Sequence, residues 1–281
     1  MAKSAFLFLG VLFSLNCFSQ ANDSAIAKVF YTLKHKRDDN NRDSVYIENM
    51  QLLFGKNSSI FRSLDRVSQS EKVKKSLDEQ AKNWTGPGLP RTTMPSNLRK
   101  VSTEELFQFQ QEKKLIIKEY LIVEYLYEDT LETINWKLDP EIKNFEKITC
   151  QKATSTFKGR DWVVWFAPDI PFETGPWKLH GLPGLIIEAY DSKKEVQFLF
   201  SGFESIKPSE SNAIENSILL PKRTIKVSLK DINKLKENMY SNPGAFWEAQ
   251  TIATKGIVDP EQLAGFSTKK INNPIELPEK K

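Results

Sequence analysis

The chain is poor in side chains that do covalent chemistry: it holds two cysteines and two histidines. Cys150 stands two residues before Lys152, so on a strand the two side chains share a face. A neighbouring ammonium would lower the thiol pKa and make a nucleophile. A free cysteine more often serves as a small buried apolar residue, and that is the role expected here. His180 with Asp169, Glu173 or Asp191 could bind a divalent metal or act as an acid–base pair. No His-Glu-x-x-His or other ligand spacing accompanies it, and it reads as a surface-loop residue. There is no G-x-S-x-G elbow and no glycine-rich phosphate loop. No catalytic residue, metal or cofactor is therefore assigned. A hydrolase using His180 with a nearby carboxylate, or Cys150, is the secondary reading.

Binding has more to work with. Trp162, Trp165, Phe166 and Trp177 are the densest aromatic group. They form either core or the walls of a cleft for an apolar ligand, and the residues leave both open. Arg160 follows Lys158-Gly159, where a guanidinium could clamp a carboxylate bidentately; a solvated hairpin tip is the plainer reading. Trp177, Lys178 and His180 fall in a loop from Asp169 to Gly184 with prolines at 171, 176 and 183. A stiff loop on a rigid scaffold is a usual place for binding residues. Equally, its turns could only fix the path of a crossover under a sheet.

The elements that would position these groups are mostly strands. Ile26–Lys34 and Val45–Phe54 read as strands, and Ser58–Leu64 as the hairpin partner of the second. Ser68–Lys82 changes period, with Val73, Leu77 and Ala81 four apart and a Ser68/Glu71 capping box, so a helix is expected. Thr85–Pro95 is a loop. Ser102–Glu112 fits a short helix or a strand, Leu115–Tyr127 a strand, and Thr133–Leu138 a short strand around Trp136. Ile148–Phe157 and Arg160–Phe166 form the clearest hairpin, since Lys158-Gly159 suits a type I′ turn. Leu182-Pro183-Gly184-Leu185 suits a type II turn with positive φ at Gly184. Leu185–Tyr190 and Glu195–Phe203 form a further hairpin. A late helix starts at Ser228, capped by Asp231, and stops at Asn242-Pro243-Gly244. The expected fold is α+β, dominated by an antiparallel, curved, half-barrel-like sheet with inserted helices; a closed lipocalin-like β-barrel is the alternative.

The ends bear on the compartment. Met1-Ala2-Lys3 is short and basic, Ala5–Leu15 is apolar, and Ser19-Gln20-Ala21 is small and polar, the order of a signal peptide. The apolar run is shorter than the ~20 residues that span a bilayer. Cleavage after Ala21 is expected; lipoprotein processing at Cys17 is disfavoured by Asn16 before it. Residues 22–266 then form one β-rich domain and 267–281 a polar tail expected to be disordered. The lone remaining Cys150 excludes an internal disulfide and a Cys₂His₂ or Cys₄ zinc site. Forty Lys and Arg against 36 Asp and Glu do not mark a nucleic-acid binder, and no basic run alternates with aromatics. No membrane span follows the N-terminal segment.

Gly181-Leu182-Pro183-Gly184-Leu185-Ile186 resembles the signature of the GLPGLI family of exported Gram-negative proteins. Further blocks agree in order: Tyr127-Glu128-Asp129, Ile134–Leu138, Cys150–Thr154, Phe157–Arg160, Trp165–Pro171 and Gly175–Lys178. The resemblance is close over Tyr127–Asp191 and loose over Val45–Leu64; Thr85–Glu112 and the chain after Phe203 lie outside it. It implies export to the periplasm or cell surface and the fold, but no reaction, since the family has no established activity. The sequence thus points to a non-enzymatic binding or carrier protein for an apolar ligand or a protein segment, through Arg160, Trp162, Trp165, Trp177, Lys178 and His180. A structural part of an envelope complex is the third reading.

Overall fold

The computed structural model describes residues 23–88, 93, 95, 97–207, 209, 216–253 and 270–278. The expected signal peptide, Cys17 and the expected cleavage point lie outside the described residues. In chain order the elements are β1 (Asp23–Ser24), β2 (Ala27–His35), β3 (Tyr46–Phe54), β4 (Ser58–Ser63), α1 (Leu64–Lys82), β5 (Glu104–Phe109), β6 (Lys114–Leu121), β7 (Val123–Thr130) and β8 (Lys137–Phe145). They continue with β9 (Ile148–Phe157), β10 (Arg160–Ala167), β11 (Leu185–Asp191), β12 (Val196–Ser205), β13 (Ser217–Ile218), β14 (Ile225–Lys226), α2 (Leu229–Ser241) and α3 (Pro243–Ala253).

Twelve strands make one sheet in the order β14-β7-β6-β5-β4-β3-β2-β12-β11-β10-β9-β8. Every pairing is antiparallel except β14 with β7. The sheet is open, with β14 and β8 at its margins, which corrects the barrel alternative and bears out the α+β expectation. β2 shows why it forms: Ala27, Val29, Tyr31, Leu33 and His35 are buried while their neighbours are half-buried, the two-residue period of a strand with one face on a core. β10 lies between β9 and β11, and its consecutive residues Val164–Ala167 are all buried, so this end of the strand is covered on both faces. Its turn is as expected, with positive φ at both Lys158 and Gly159. No described helix is long and apolar enough to cross a membrane.

Several local expectations are corrected. Ser102–Glu112 resolves to the strand β5, paired with β4 and β6. Leu115–Tyr127 is two strands, because Ile122 takes a positive φ and turns the chain between Leu121 and Val123; a β-branched residue there is not foreseeable from propensity. The strand around Trp136 is displaced to Lys137–Phe145. α2 ends where expected, but Pro243 opens α3 instead of ending helical structure, as proline can at a helix's first position. α1 begins at Leu64, four residues early, capped by Ser63 accepting from the Arg66 N–H at 2.9 Å. None of its residues is buried, so the apolar spacing at Val73, Leu77 and Ala81 does not serve a core.

The displaced cap is testable. Ser63→Ala removes an N-cap and is expected to lower stability by about 1 kcal/mol, whereas Ser68→Ala, inside the helix, should change it by a few tenths at most. Urea unfolding of the two variants measures the difference; equal losses would restore the cap at Ser68.

Candidate functional site

Strand order and register bring four polar residues to one end of the sheet. β2, β12, β11 and β10 are neighbours. Val196 pairs with His35, and Trp162 with Asp191. The end of β2, the β11–β12 turn and the β9–β10 turn therefore lie side by side, carrying His35, Asp191 with Glu195, and Arg160. Arg160 has 3% exposure, so it is not a solvated hairpin tip. One of its terminal nitrogens, Nη1, donates to Asp191 Oδ2 at 2.6 Å and to Glu195 Oε2 at 3.1 Å. Its other N–H groups point at a different part of the chain, residues 272–277.

That segment lies along this end of the sheet and is gripped residue by residue. Asn272 is bonded to Asp38 and to the Asp39 N–H. Asn273 is buried: its Oδ1 accepts from Arg160 Nη2 at 2.6 Å, and its Nδ2 donates to Lys36 O at 2.7 Å and Glu195 Oε2 at 3.3 Å. Its carbonyl accepts from His35 Nε2 at 2.7 Å. The Pro274 and Ile275 carbonyls accept from Arg160 Nη2 and Nε, at 2.7 and 2.8 Å. The Glu276 carboxylate pairs with Lys178 at 2.6 Å, and the Leu277 N–H donates to Lys158 O. Residues 270–278 fall in the tail expected to be disordered; here nine residues of it are placed, and polar composition alone misled because its polar atoms have buried partners. Gly159 sits so close that a Cβ would lie 2.6 Å from Leu277 O.

The remaining predicted residues are buried in the body of the fold. Trp162, Trp165 and Trp177 are 1%, 5% and 5% exposed and belong to the main core. Trp177 rests on Trp162 at 5.6 Å and on Phe157 at 5.9 Å between ring centroids, and Trp162 stacks on Phe198. The aromatic group is core, which corrects the expectation of an apolar cleft with these walls. The proline-rich loop is likewise tucked in. Lys178 is buried between Asp129 and Glu276. His180 is buried with Nδ1 donating to Lys178 O at 2.9 Å; burial lowers its pKa, with only backbone hydrogen bonds and Glu173 opposing. Asp191, considered as its partner, is instead committed to Arg160. Cys150 is fully buried and its thiol pKa is pushed up to about 12 by burial, as the apolar-role reading holds. Gly184 does not take positive φ. Leu182, Pro183 and Gly184 form a three-residue turn closed by Gly184 N–H to Leu182 O, and glycine is required because a Cβ would lie 2.3 Å from Ala167 O.

A second charged cluster was not visible in the sequence reading. Glu104 on β5 and Glu119 on β6 are direct cross-strand partners, a repulsive arrangement. Lys236 of α2 bridges them, at 3.1 and 2.6 Å. Burial first, then the Glu104 charge, push Glu119 up to about 7. Its signal is positional: Glu119 occupies an inward place between Ile117 and Leu121, where an apolar residue belongs. His35 carries the same kind of signal at the end of β2, in phase with Ala27, Val29, Tyr31 and Leu33; Glu195, out of phase with Val196 and Phe198, carries none. Among the described residues no three His, Cys, Asp or Glu side chains gather as metal ligands.

The cradle is acid-sensitive. Burial above all lowers His35 from 6.5 to about 4, with the Arg37 and Arg160 charges adding to the shift; its Nδ1 has no partner among the described residues. Between these values the unfolded chain binds a proton that the folded chain refuses, so stability is lost as pH falls from about 6.5 toward 4. Glu195 acts in the same sense. Burial raises it, but Arg160 and Arg42 outweigh that and hold it below the ordinary range, so its contribution goes as it protonates. Denaturant unfolding from pH 7 to 4 should show a falling stability, and His35→Gln, which keeps a donor for the Asn273 carbonyl, should flatten that slope. An unchanged slope would remove His35 from the account.

A family model described as a protein of unknown function (Porph_ging) matches residues 107–188, from β5 to β11. The match includes Lys158, Arg160 and Lys178 and leaves out His35, Glu195 and the segment they hold. No curated protein matches. Among solved structures, PNGF-II in a P21 crystal form is similar at TM-score 0.50 and 10% identity, covering 75% of this chain and 33% of that one. PNGF-II in a C2 form gives TM-score 0.48 and 12% identity, over 76% of this chain and 32% of that one. The chain thus spans about a third of the length of these structures, and the likeness to the first is one of fold alone.

Proposed function

We propose that this chain is an exported envelope protein that binds an extended protein segment, and that the cradle around Arg160 is where it does so. One observation carries the reading. A guanidinium has five N–H donors. At Arg160 two bond to Asp191 and Glu195, and three bond to Asn273, Pro274 and Ile275. Two of those three acceptors are main-chain carbonyls, so the group reads backbone as well as side chain, as peptide-binding grooves do. Two carboxylates hold the arginine aimed before any segment arrives, and such preorganisation limits the entropy lost on binding. Trp162 and Trp177 pack on each other two residues from Arg160 and one residue from Lys178 along the chain. The chain's own residues 272–277 occupy the cradle and act as its internal competitor. Export is supported by the basic start, the apolar run Ala5–Leu15 and the small residues before Asn22.

A fluorescent peptide of residues 270–281 tests the binding. Asn273→Asp in the full chain sets a carboxylate against Glu195 and ejects the resident segment, so the peptide should bind that variant at least tenfold more tightly than it binds the wild type. Adding Arg160→Ala to Asn273→Asp should abolish the binding. No binding to Asn273→Asp, measured by anisotropy on a variant shown to be folded by circular dichroism, would overturn the reading. For export, mass spectrometry of the protein recovered from its native envelope should find a mature N-terminus at Asn22; an intact Met1 or a lipidated Cys17 would refute that assignment.

A further inference from the structure

An emptied cradle is an unstable object. Arg160, Asp191 and Glu195 have side chains 2%, 3% and 4% exposed with the segment in place. Without it, Arg160 keeps its two carboxylates and loses three acceptors, and the His35 donor and the Lys36 carbonyl lose theirs. Water must replace those partners, and any group it cannot reach costs on the order of 1–3 kcal/mol. The cradle therefore favours an occupant, and it is selective about which.

The contacts spell a code. Position 273 must offer an acceptor to Arg160 and a donor to Lys36 O and Glu195 from one side chain, which only a primary amide does. Aspartate there would face Glu195, and an apolar residue would leave both sides unanswered. Proline at 274 biases the preceding asparagine to the extended conformation that the cradle holds, and its missing N–H loses nothing, because Arg160 uses the carbonyl. Position 275 is apolar and half-buried against the core. Position 276 needs an acid for Lys178, which also faces Asp129. Asn-Pro-apolar-acid is thus the recognised pattern, and this chain itself carries it.

We propose that the cradle accepts this segment from a second copy of the chain, so that two copies exchange residues 270–278. The proposal rests on the segment-binding reading above. Exchange preserves every hydrogen bond and ion pair of the cradle, because the occupant is chemically identical. Sixteen residues separate Ala253 from Lys270, a length of chain that reaches at most about 55 Å. Reciprocal exchange gives a closed two-fold pair, in which each copy is donor and acceptor. Within one molecule the segment competes through its high effective concentration, so exchange grows with protein concentration and when the internal grip is weakened.

Complementation between two full-length variants tests this. Asn273→Asp keeps a working cradle and spoils the segment; Arg160→Lys keeps the segment and spoils the five-donor grip, with Arg160→Ala as a second version should the lysine variant retain partial binding. Each alone should elute as a monomer. An equimolar mixture should shift in part to twice the mass, and the shift should vanish when the partner of Asn273→Asp also carries Asn273→Asp. A mixture that stays monomeric at concentrations up to 1 mM (on the order of the effective concentration of a short flexible tether), while the free peptide binds Asn273→Asp, would overturn exchange and leave the segment-binding reading standing. If the peptide fails as well, both fall.

Discussion

A buried guanidinium sets the terms for one whole end of this molecule. Taking Arg160 out of water is costly unless every N–H finds an acceptor, and the fold meets that condition with none to spare. Two acceptors come from Asp191 and Glu195, which flank the β11–β12 turn. The other three come from residues 273–275, far along the chain. The requirement explains the neighbouring features. β10, β11, β12 and β2 must end level with one another. Gly159 must lack a side chain, because the arriving segment passes where a Cβ would be. The one glycine serves both the positive φ of the hairpin turn and the close approach of Leu277.

The core below and the cradle above are mechanically joined by the crossover between β10 and β11. Its turns lay Trp177 onto Trp162 and Phe157 and leave Lys178 facing upward to Asp129 and Glu276. The position of Lys178 is therefore a consequence of aromatic packing one residue away. Pairs of this kind contribute about 0.5–1.5 kcal/mol beyond burial, enough to hold a lysine in one place. His180 continues the same logic: its main-chain carbonyl accepts from Trp136 Nε1 at 2.8 Å, so the histidine tethers the loop through its backbone and its ring is a packed side chain.

The opposite half of the sheet solves a similar electrostatic problem in another way. Glu104 and Glu119 face each other across β5 and β6, and the sheet supplies no cation between them. Lys236 does, from α2, while Ile232 and Met239 of the same helix enter the core. A raised carboxyl such as Glu119 favours the fold below its titration and loses that favour as pH rises, the reverse of His35 and Glu195 at the cradle. Burial raises Glu104 as well, but Lys236 outweighs it and holds that carboxyl below the ordinary range, so the two carboxyls of this cluster respond to pH in opposite senses. In each of the two charged clusters, a late element of the chain brings the group that the sheet's own charges require.

The sequence by itself determined what depends on near neighbours. The β9–β10 hairpin, its type I′ turn, the β11–β12 hairpin and the Ser228 cap of α2 rest on spacing, glycine and short polar side chains, and these act over a few residues. It also determined that Cys150 would be apolar in role and that β10 would be covered on both faces. Only the tertiary structure decided the partners of Arg160, because Asp191, Glu195 and Asn273 lie 31, 35 and 113 residues away and no local rule connects them. The same holds for the tryptophans, which composition leaves free to be wall or core until strand order closes the space around them. It holds most clearly for residues 270–278: a polar, proline-bearing stretch has too little apolar surface to order itself, and it is ordered here because a buried arginine needs its carbonyls.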